Sequence, residues 1–275
     1  MSRAQGSTPV TISRLQGVAA AQVCADQVAT EEPLEIRVAG RSVAVVMRTP
    51  GHDRELAAGF LVTEGVLRSP DQVLDMVYCR ATGEPEENVL DVLLAPGAEV
   101  DFERLTRHVF TSSSCGICSK ASIEAIRSQF PPIAQGLAPR RAVLDRLPGA
   151  LRAAQATFDQ TGGLHASALF AADGPLQIVR EDVGRHNALD KIVGRAFLDG
   201  ALPLSASILL VSGRVSFELM QKALGAGIPV VAAISAPSSA AVAFAQASGQ
   251  TLVGFLRPDG GGGMRMHVYA GTVAD

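Results

Sequence analysis

Two of the four cysteines in the chain, Cys115 and Cys118, lie at Cys-x-x-Cys spacing within Ser112-Ser113-Ser114-Cys115-Gly116-Ile117-Cys118-Ser119-Lys120. A helical pattern begins just after them, at Ala121–Ile126. A thiol at a helix N-terminus beside a lysine has its thiolate favoured by the helix dipole and by the cation. Structural zinc would need a second pair of ligands at short spacing. Cys24 and Cys79 are isolated, and no His-x3–5-His pair exists. A thioredoxin-like pair would sit early in a βαβ unit, whereas this pair follows a whole α+β pattern. A zinc deaminase needs His-x-Glu ahead of Pro-Cys-x-x-Cys; the first is missing and Ser114 replaces the proline. Inert buried cysteines fit poorly with neighbours as polar as Thr111–Ser114 and Lys120. The remaining chemistry is that of an exposed nucleophilic thiol that carries sulfur as a persulfide.

Other candidates fall at junctions between strands and helices. His165 starts an apolar strand after Gly162-Gly163. In Arg180-Glu181-Asp182-Val183-Gly184-Arg185-His186-Asn187, Arg185 and His186 stand where a strand ends and a helix begins, a favoured ligand position in open α/β folds. An arginine beside a helix N-terminus suits a phosphate. Asn187 reads as the helix cap, and Asp190 and Lys191 as a solvated face. Ser212-Gly213-Arg214-Val215-Ser216 and Ser235–Ser239 repeat the strand–loop–serine pattern, and each reads equally as an ordinary capped loop. Phe255-Leu256-Arg257-Pro258-Asp259-Gly260 precedes Gly261–Gly263. Its glycines allow amides to converge on phosphate, Arg257 can pair a phosphate or stack on a base, and Asp259 can accept from a guanine edge. The competing reading is a plain turn.

These residues need elements to hold them. A chain of 275 residues can bury one or two cores. The net charge of -3 gives no general reason to expect a nucleic-acid partner. No run of about 18 apolar residues predicts a membrane span, and the N-terminus lacks an apolar signal-like core. Four cysteines make no disulfide framework, so a cytoplasmic protein with reduced thiols is expected. The first 25 residues read as a flexible arm or edge strand. Strands at Leu34–Val38 and Val43–Met47, a helix from Glu55 to about Val66 capped by Asp53, and strands at Val73–Tyr78, Val89–Leu94 and His108–Thr111 make a small α+β unit. The prolines of 131–149 suggest a linker. Beyond it a helix spans Ala150–Asp159, and strands and helices then alternate. Unbroken apolar strands at Ser207–Val211 and Ile228–Ile234 imply burial on both faces. The expected domains are therefore 1–130, a small α+β unit with the Cys-x-x-Cys loop at its end, and 131–275, an α/β/α sandwich with a mixed, mostly parallel sheet.

The segments TSSSCGICSKASIEAI, GGLHASALF, VREDVGRHNALDKIVG, SGRVSFELMQKA, GIPVVAAISAPSSAAVAFA and TLVGFLRP, spread over 111–258, together resemble the FdhD family of formate dehydrogenase accessory sulfurtransferases. The stretch Thr49–Leu61 resembles the family too. Ser119 stands where many members have glycine, which leaves both thiols untouched. The resemblance implies a sulfur relay. A cysteine desulfurase loads a persulfide on Cys115, with Cys118 as its partner, and the sulfur passes to the Mo-bis(molybdopterin guanine dinucleotide) of formate dehydrogenase, or its tungsten counterpart. It implies that Phe255–Gly260 holds the guanine nucleotide end of this cargo, so that a GDP-like nucleotide mimics it. It implies a cytidine-deaminase-like C-terminal domain without zinc, and a homodimer. The rival from another class is a cofactor-binding chaperone for formate dehydrogenase that moves no sulfur.

Overall fold

The structure is a computed structural model, and it describes residues 6–17, 21–81, 84–98, 100, 102, 130–134 and 136–275. Cys115, Cys118, the strand expected at His108–Thr111 and the helix expected after Lys120 lie outside the described residues.

The expected arm is a two-stranded antiparallel ribbon, β1 (Ser7–Arg14) with β2 (Gln22–Ala29). Next comes a four-stranded sheet in the order β4-β3-β6-β5, built from β3 (Glu32–Val38), β4 (Arg41–Arg48), β5 (Val73–Ala81) and β6 (Glu84–Leu94). Ala39 and Gly40, with φ of 49° and 79°, form the tight turn between β3 and β4. Two successive left-handed residues match the twist of a two-residue hairpin. Period-two patterning puts Leu34, Ile36 and Val38 on one face, each fully buried. On that face lies α1 (Asp53–Thr63), nearly all of whose residues are buried. Asp53 does not cap it. His52 holds the N-cap position at φ 60° with no side-chain cap bond. Asp53 is instead taken by Arg48, whose Nε and Nη2 donate to its two oxygens at 3.1 and 2.9 Å, and by the Tyr78 hydroxyl.

The larger sheet has six strands in the order β12-β11-β10-β9-β7-β8. They are β7 (His165–Ala171), β8 (Leu176–Asp182), β9 (Ser207–Val211), β10 (Val230–Ala233), β11 (Thr251–Pro258) and β12 (Met264–Ala270). The mixed α/β architecture is as expected. β8, β9, β10 and β11 run in one direction and β7 and β12 in the other, so β9–β10 and β10–β11 pair parallel while β7–β8, β7–β9 and β11–β12 pair antiparallel. The two helices expected to separate parallel neighbours are α6 (Phe217–Gly225) and α7 (Ser239–Ser248). With α5 (Arg185–Leu198) they cover one face of the sheet. The other face is covered by α2 (Arg141–Leu144) and α3 (Leu147–Ala153) through Val143, Leu144, Leu147 and Leu151.

The stretch 131–149 is thus no free linker. Pro148 lies in the first turn of α3, and Val143, Leu144 and Leu147 fill a core. The helix expected over Ala150–Asp159 is split into α3 and α4 (Ala156–Thr161), and Glu181 accepts the Thr157 and Phe158 amides at the start of α4.

One apolar core runs from the four-stranded sheet through α1 and α5 to the six-stranded sheet. At the α1–α5 crossing neither helix has a side chain. A Cβ on Gly59 would stand 1.8 Å from the Asp190 carbonyl oxygen, and one on Gly194 would stand 1.7 Å from that of Glu55. Charged ties flank the crossing. Arg180 Nε and Nη2 donate to Glu55 at 2.5 and 2.8 Å. Burial alone would raise the Glu55 pKa, but hydrogen bonds and charge from Arg180 and His52 bring it down to about 2.

Candidate functional site

Topology gathers the candidate residues. The C-terminal ends of β8, β9, β10 and β11 and the N-terminal ends of β7 and β12 share one edge of the large sheet. His165 pairs with Asp182, Ser167 with Val211, and Pro258 with Met264. Along that edge therefore follow Arg185 and His186 beyond β8, His165 at the start of β7, Ser212–Ser216 beyond β9, Ser235–Ser238 beyond β10, and Phe255–Gly260 at the end of β11. The loops are tied together by Val215 N–H to Ala236 O at 3.2 Å and Ser238 N–H to Val215 O at 2.9 Å.

The segment after β8 divides by role. Asp182 is fully buried and fully engaged. It accepts from Thr49 N at 3.2 Å, Gly184 N at 2.8 Å and Asn187 Nδ2 at 2.9 Å, and lies 2.7 Å from Lys191 Nζ. Asn187 is not the helix cap. Gly184 occupies that position, and Asn187 spends its amide on Asp182 and on the Met47 carbonyl. Asp190 and Lys191 are not a solvated face either, being 2% and 1% exposed. Asp190 meets Lys222 Nζ at 3.0 Å and Thr63 Oγ1 at 2.9 Å. Burial pushes its carboxyl up to about 6, against the pull of Lys222. Burial would lower the Lys222 pKa, but Asp190, Glu64 and Glu218 raise it overall.

Arg185 and His186 remain for chemistry. His186 Nε2 lies 3.2 Å from Ser216 Oγ and 3.6 Å from Glu218 Oε2. The Ser216 oxygen also accepts the Leu219 amide as the N-cap of α6, and in its bond with the imidazole the donor is set by the His186 tautomer. Burial, then the charges of Arg185, Lys222 and His165, hold His186 down at about 3. Burial and then Arg185 also lower the His165 pKa, with Asp182 opposing. Both imidazoles are neutral at pH 7, each with one donor and one acceptor nitrogen. Glu218 and Lys222 were not read from sequence, and Ser216 was read there only as part of the loop and as a helix cap. Their signal is the spacing of Glu218 and Lys222, one turn apart on α6, facing His186 and Asp190, one turn apart on α5.

At the far end of the edge, Phe255 has φ 53° beside a register shift between Gly254 and Arg257. The Arg257 guanidinium lies 5.2 Å and that of Arg265 5.5 Å from the Phe255 ring centroid, and the His267 ring is centred 5.0 Å away. Arg265, His267 and Tyr269 were missed, although their period-two spacing on β12 puts them on one face. Leu256 is buried and serves the core, while Arg257, Pro258, Asp259 and Gly260 are exposed. Asp259 has a local task. Its Oδ1 accepts the Gly261 and Gly263 amides at 2.7 and 3.0 Å, and these bonds lower its pKa. Amides expected to meet phosphate are thus turned on Asp259. Arg214 is exposed at the middle of the edge. Among the described residues no group of three or more His, Cys, Asp or Glu side chains could hold a metal ion, and no helix is long and apolar enough to cross a membrane.

A crystal structure described as that of a formate dehydrogenase accessory protein from Desulfotalea psychrophila superposes with a TM-score of 0.74. It is 25% identical and covers 97% of each chain. Proteins called sulfur carrier protein FdhD match closely in sequence. The one from Streptomyces avermitilis is 55% identical over 256 residues, 90% of this chain and 88% of its own. That of Mycolicibacterium paratuberculosis is 56% identical over 234 residues, 83% and 86% of the two chains. The model of the FdhD/NarQ family spans residues 29–273, which takes in both sheets, the shared edge and the Cys-x-x-Cys segment, and the chain belongs to that family.

Proposed function

We propose that the protein is a cytoplasmic sulfur carrier that serves formate dehydrogenase as a homodimer. Its nucleophile is Cys115. The Cys115 thiolate attacks the outer sulfur of a desulfurase persulfide, forming a new S–S bond and releasing the donor thiolate. Attack by the Cys118 thiol on the inner sulfur of the Cys115 persulfide then expels sulfide and leaves a Cys115–Cys118 disulfide for a thiol reductant to reopen. The recipient is the molybdenum or tungsten bis(molybdopterin guanine dinucleotide), written here as cargo. The polar edge of the large sheet is its seat, with the Phe255–Arg257–Arg265 cluster as a stacking platform for a guanine end. The observation that carries this reading is 55% identity over 90% of the chain to a protein named for sulfur carriage, in a chain whose Cys115-Gly116-Ile117-Cys118 stands in a polar segment.

The test is intact-mass analysis after incubation with a cysteine desulfurase and cysteine. A gain of one sulfur atom mapped to the Cys115 peptide is expected. No gain, or a gain that survives Cys115→Ala, overturns it. Cofactor insertion that survives Cys115→Ala would instead mark a chaperone that moves no sulfur.

A further inference from the structure

We infer that the pocket at the free edge of β8 is a site for a small α-amino acid in its zwitterionic form. It stands apart from the cargo seat, since none of the residues that line it is among those assigned to sulfur or to the nucleotide.

The first observation is a pocket with charged groups left to spare. It encloses about 170 Å³ between the base of the ribbon, the loop before α1, the start of α4 and the edge of β8. The ribbon closes tightly on α4, where a Cβ on Gly6 would stand 3.0 Å from Thr157 Cγ2. Lys191, 1% exposed, lines the pocket. Its ammonium has three hydrogens and two partners, the Thr49 carbonyl at 2.8 Å and Asp182 at 2.7 Å. Arg180, also in the lining, donates twice to Glu55 and once to the Val179 carbonyl, out of five N–H groups. On the acceptor side, each Glu181 carboxylate oxygen takes one amide from the start of α4 and keeps lone pairs beyond it.

The second observation is unpaired main chain. β8 is the outermost strand of its sheet. Both the N–H and the C=O of Ala166 turn to Ser212, away from β8. Ala166 stands opposite Glu181, so Glu181 turns its own N–H and C=O outward, off the sheet. Val179, two residues back, does the same, and its carbonyl is the one Arg180 reaches. Neither outward group of Glu181 has a main-chain partner among the described residues. In antiparallel pairing, the residue facing such a position exchanges two N–H···O bonds with it. An amino acid can make both bonds by itself: its carboxylate accepts the Glu181 N–H and its ammonium donates to the Glu181 C=O. Lys191 and Arg180 bring positive charge for the carboxylate, and the Glu181 side chain brings negative charge for the ammonium. The pocket is smaller than the roughly 300 Å³ at which ordinary ligand sites begin, so the side chain it takes is small, as in alanine, serine or cysteine.

Calorimetry on the full chain with L-alanine as probe tests the site. One saturable site per chain is expected. L-alaninamide lacks the carboxylate and N-acetyl-L-alanine lacks the ammonium, so each should bind at least about tenfold more weakly. Ala154 lines the pocket; Ala154→Leu fills it and should abolish binding, with GDP binding and sulfur loading on Cys115 unchanged. Glu181→Gln keeps an acceptor for the α4 amides and should weaken binding about tenfold, which serves as the test if Ala154→Leu does not fold. The absence of saturable heat with L-alanine overturns the site. So does equal binding of either blocked derivative or of L-tryptophan, or undiminished binding by a folded Ala154→Leu or Glu181→Gln chain. Binding of the dipeptide Gly-Ala with none of free alanine also overturns it, and marks the edge of β8 as a strand-docking surface instead. Failure of GDP binding or of sulfur loading in the wild type counts against the carrier reading alone and leaves this site standing.

Discussion

Cys24 and Cys79 are half-buried on strands, Cys24 on the ribbon and Cys79 on β5, and neither stands on the polar edge. A carrier needs a thiol that reaches both donor and recipient. Cys115→Ala should therefore abolish formate dehydrogenase activation in a strain lacking the native gene, and Cys24→Ala and Cys79→Ala should leave it within about twofold of wild type, a difference near the 0.4 kcal/mol noise of such comparisons. Equal loss at all three positions would contradict the assignment. Arg257 is exposed and stacks on Phe255. Arg257→Ala should weaken GDP binding by calorimetry about tenfold, or ~1.4 kcal/mol, with an unchanged melting temperature because it supports no core. Asp259 shows how one residue type serves two readings. A carboxylate next to a glycine run suits a guanine edge and suits a turn equally, and here the turn amides hold it.

The elements legible in the sequence were those whose pattern is local. Apolar runs gave β9 and β10, the serines before α6 and α7 are true caps, and the polar junctions converge on one edge. What was not legible depends on partners far along the chain. Asn187 looked like a cap because its Met47 partner is 140 residues away. Asp190 looked solvated because Thr63 and Lys222 arrive from other helices. The prolines of 131–149 suggested a linker because nothing local shows that Val143 and Leu147 meet the sheet. The charged pair and the bare crossing make element-scale predictions. Lys222→Met leaves Asp190 buried without its cation and should cost about 3–5 kcal/mol by denaturant unfolding. Gly194→Ala places a methyl where the Glu55 carbonyl stands and should cost at least about 3 kcal/mol; a melting temperature equal to wild type would refute that packing.

Across the whole molecule, the core shared by the two sheets predicts that they unfold together rather than as two independent domains. The chain has two tyrosines and no tryptophan, and Tyr78 lies on the small sheet and Tyr269 on the large one. Tyr78→Phe and Tyr269→Phe leave one reporter in each, and fluorescence should give coincident transitions from both; separate midpoints would show two independent domains. Acid should weaken the join. The folded Glu55 pKa of about 2 lies below its usual 4.5, so its contribution is full above pH 4.5 and is lost as pH falls towards 2. That contribution is at most about 3 kcal/mol, and Glu55→Gln should flatten this part of the stability curve. The crossing of Gly59 and Gly194 also bears on movement. Each bare position faces a main-chain oxygen rather than a side chain, so no truncation elsewhere makes room, and the contact exists at one register only. Sliding by a residue would drive a neighbouring side chain into the opposite backbone. The two helices are a locked bearing, and shear between the sheets is closed to this protein. Any movement that the proposed sulfur relay requires is therefore expected away from the α1–α5 crossing, while this scaffold stays still.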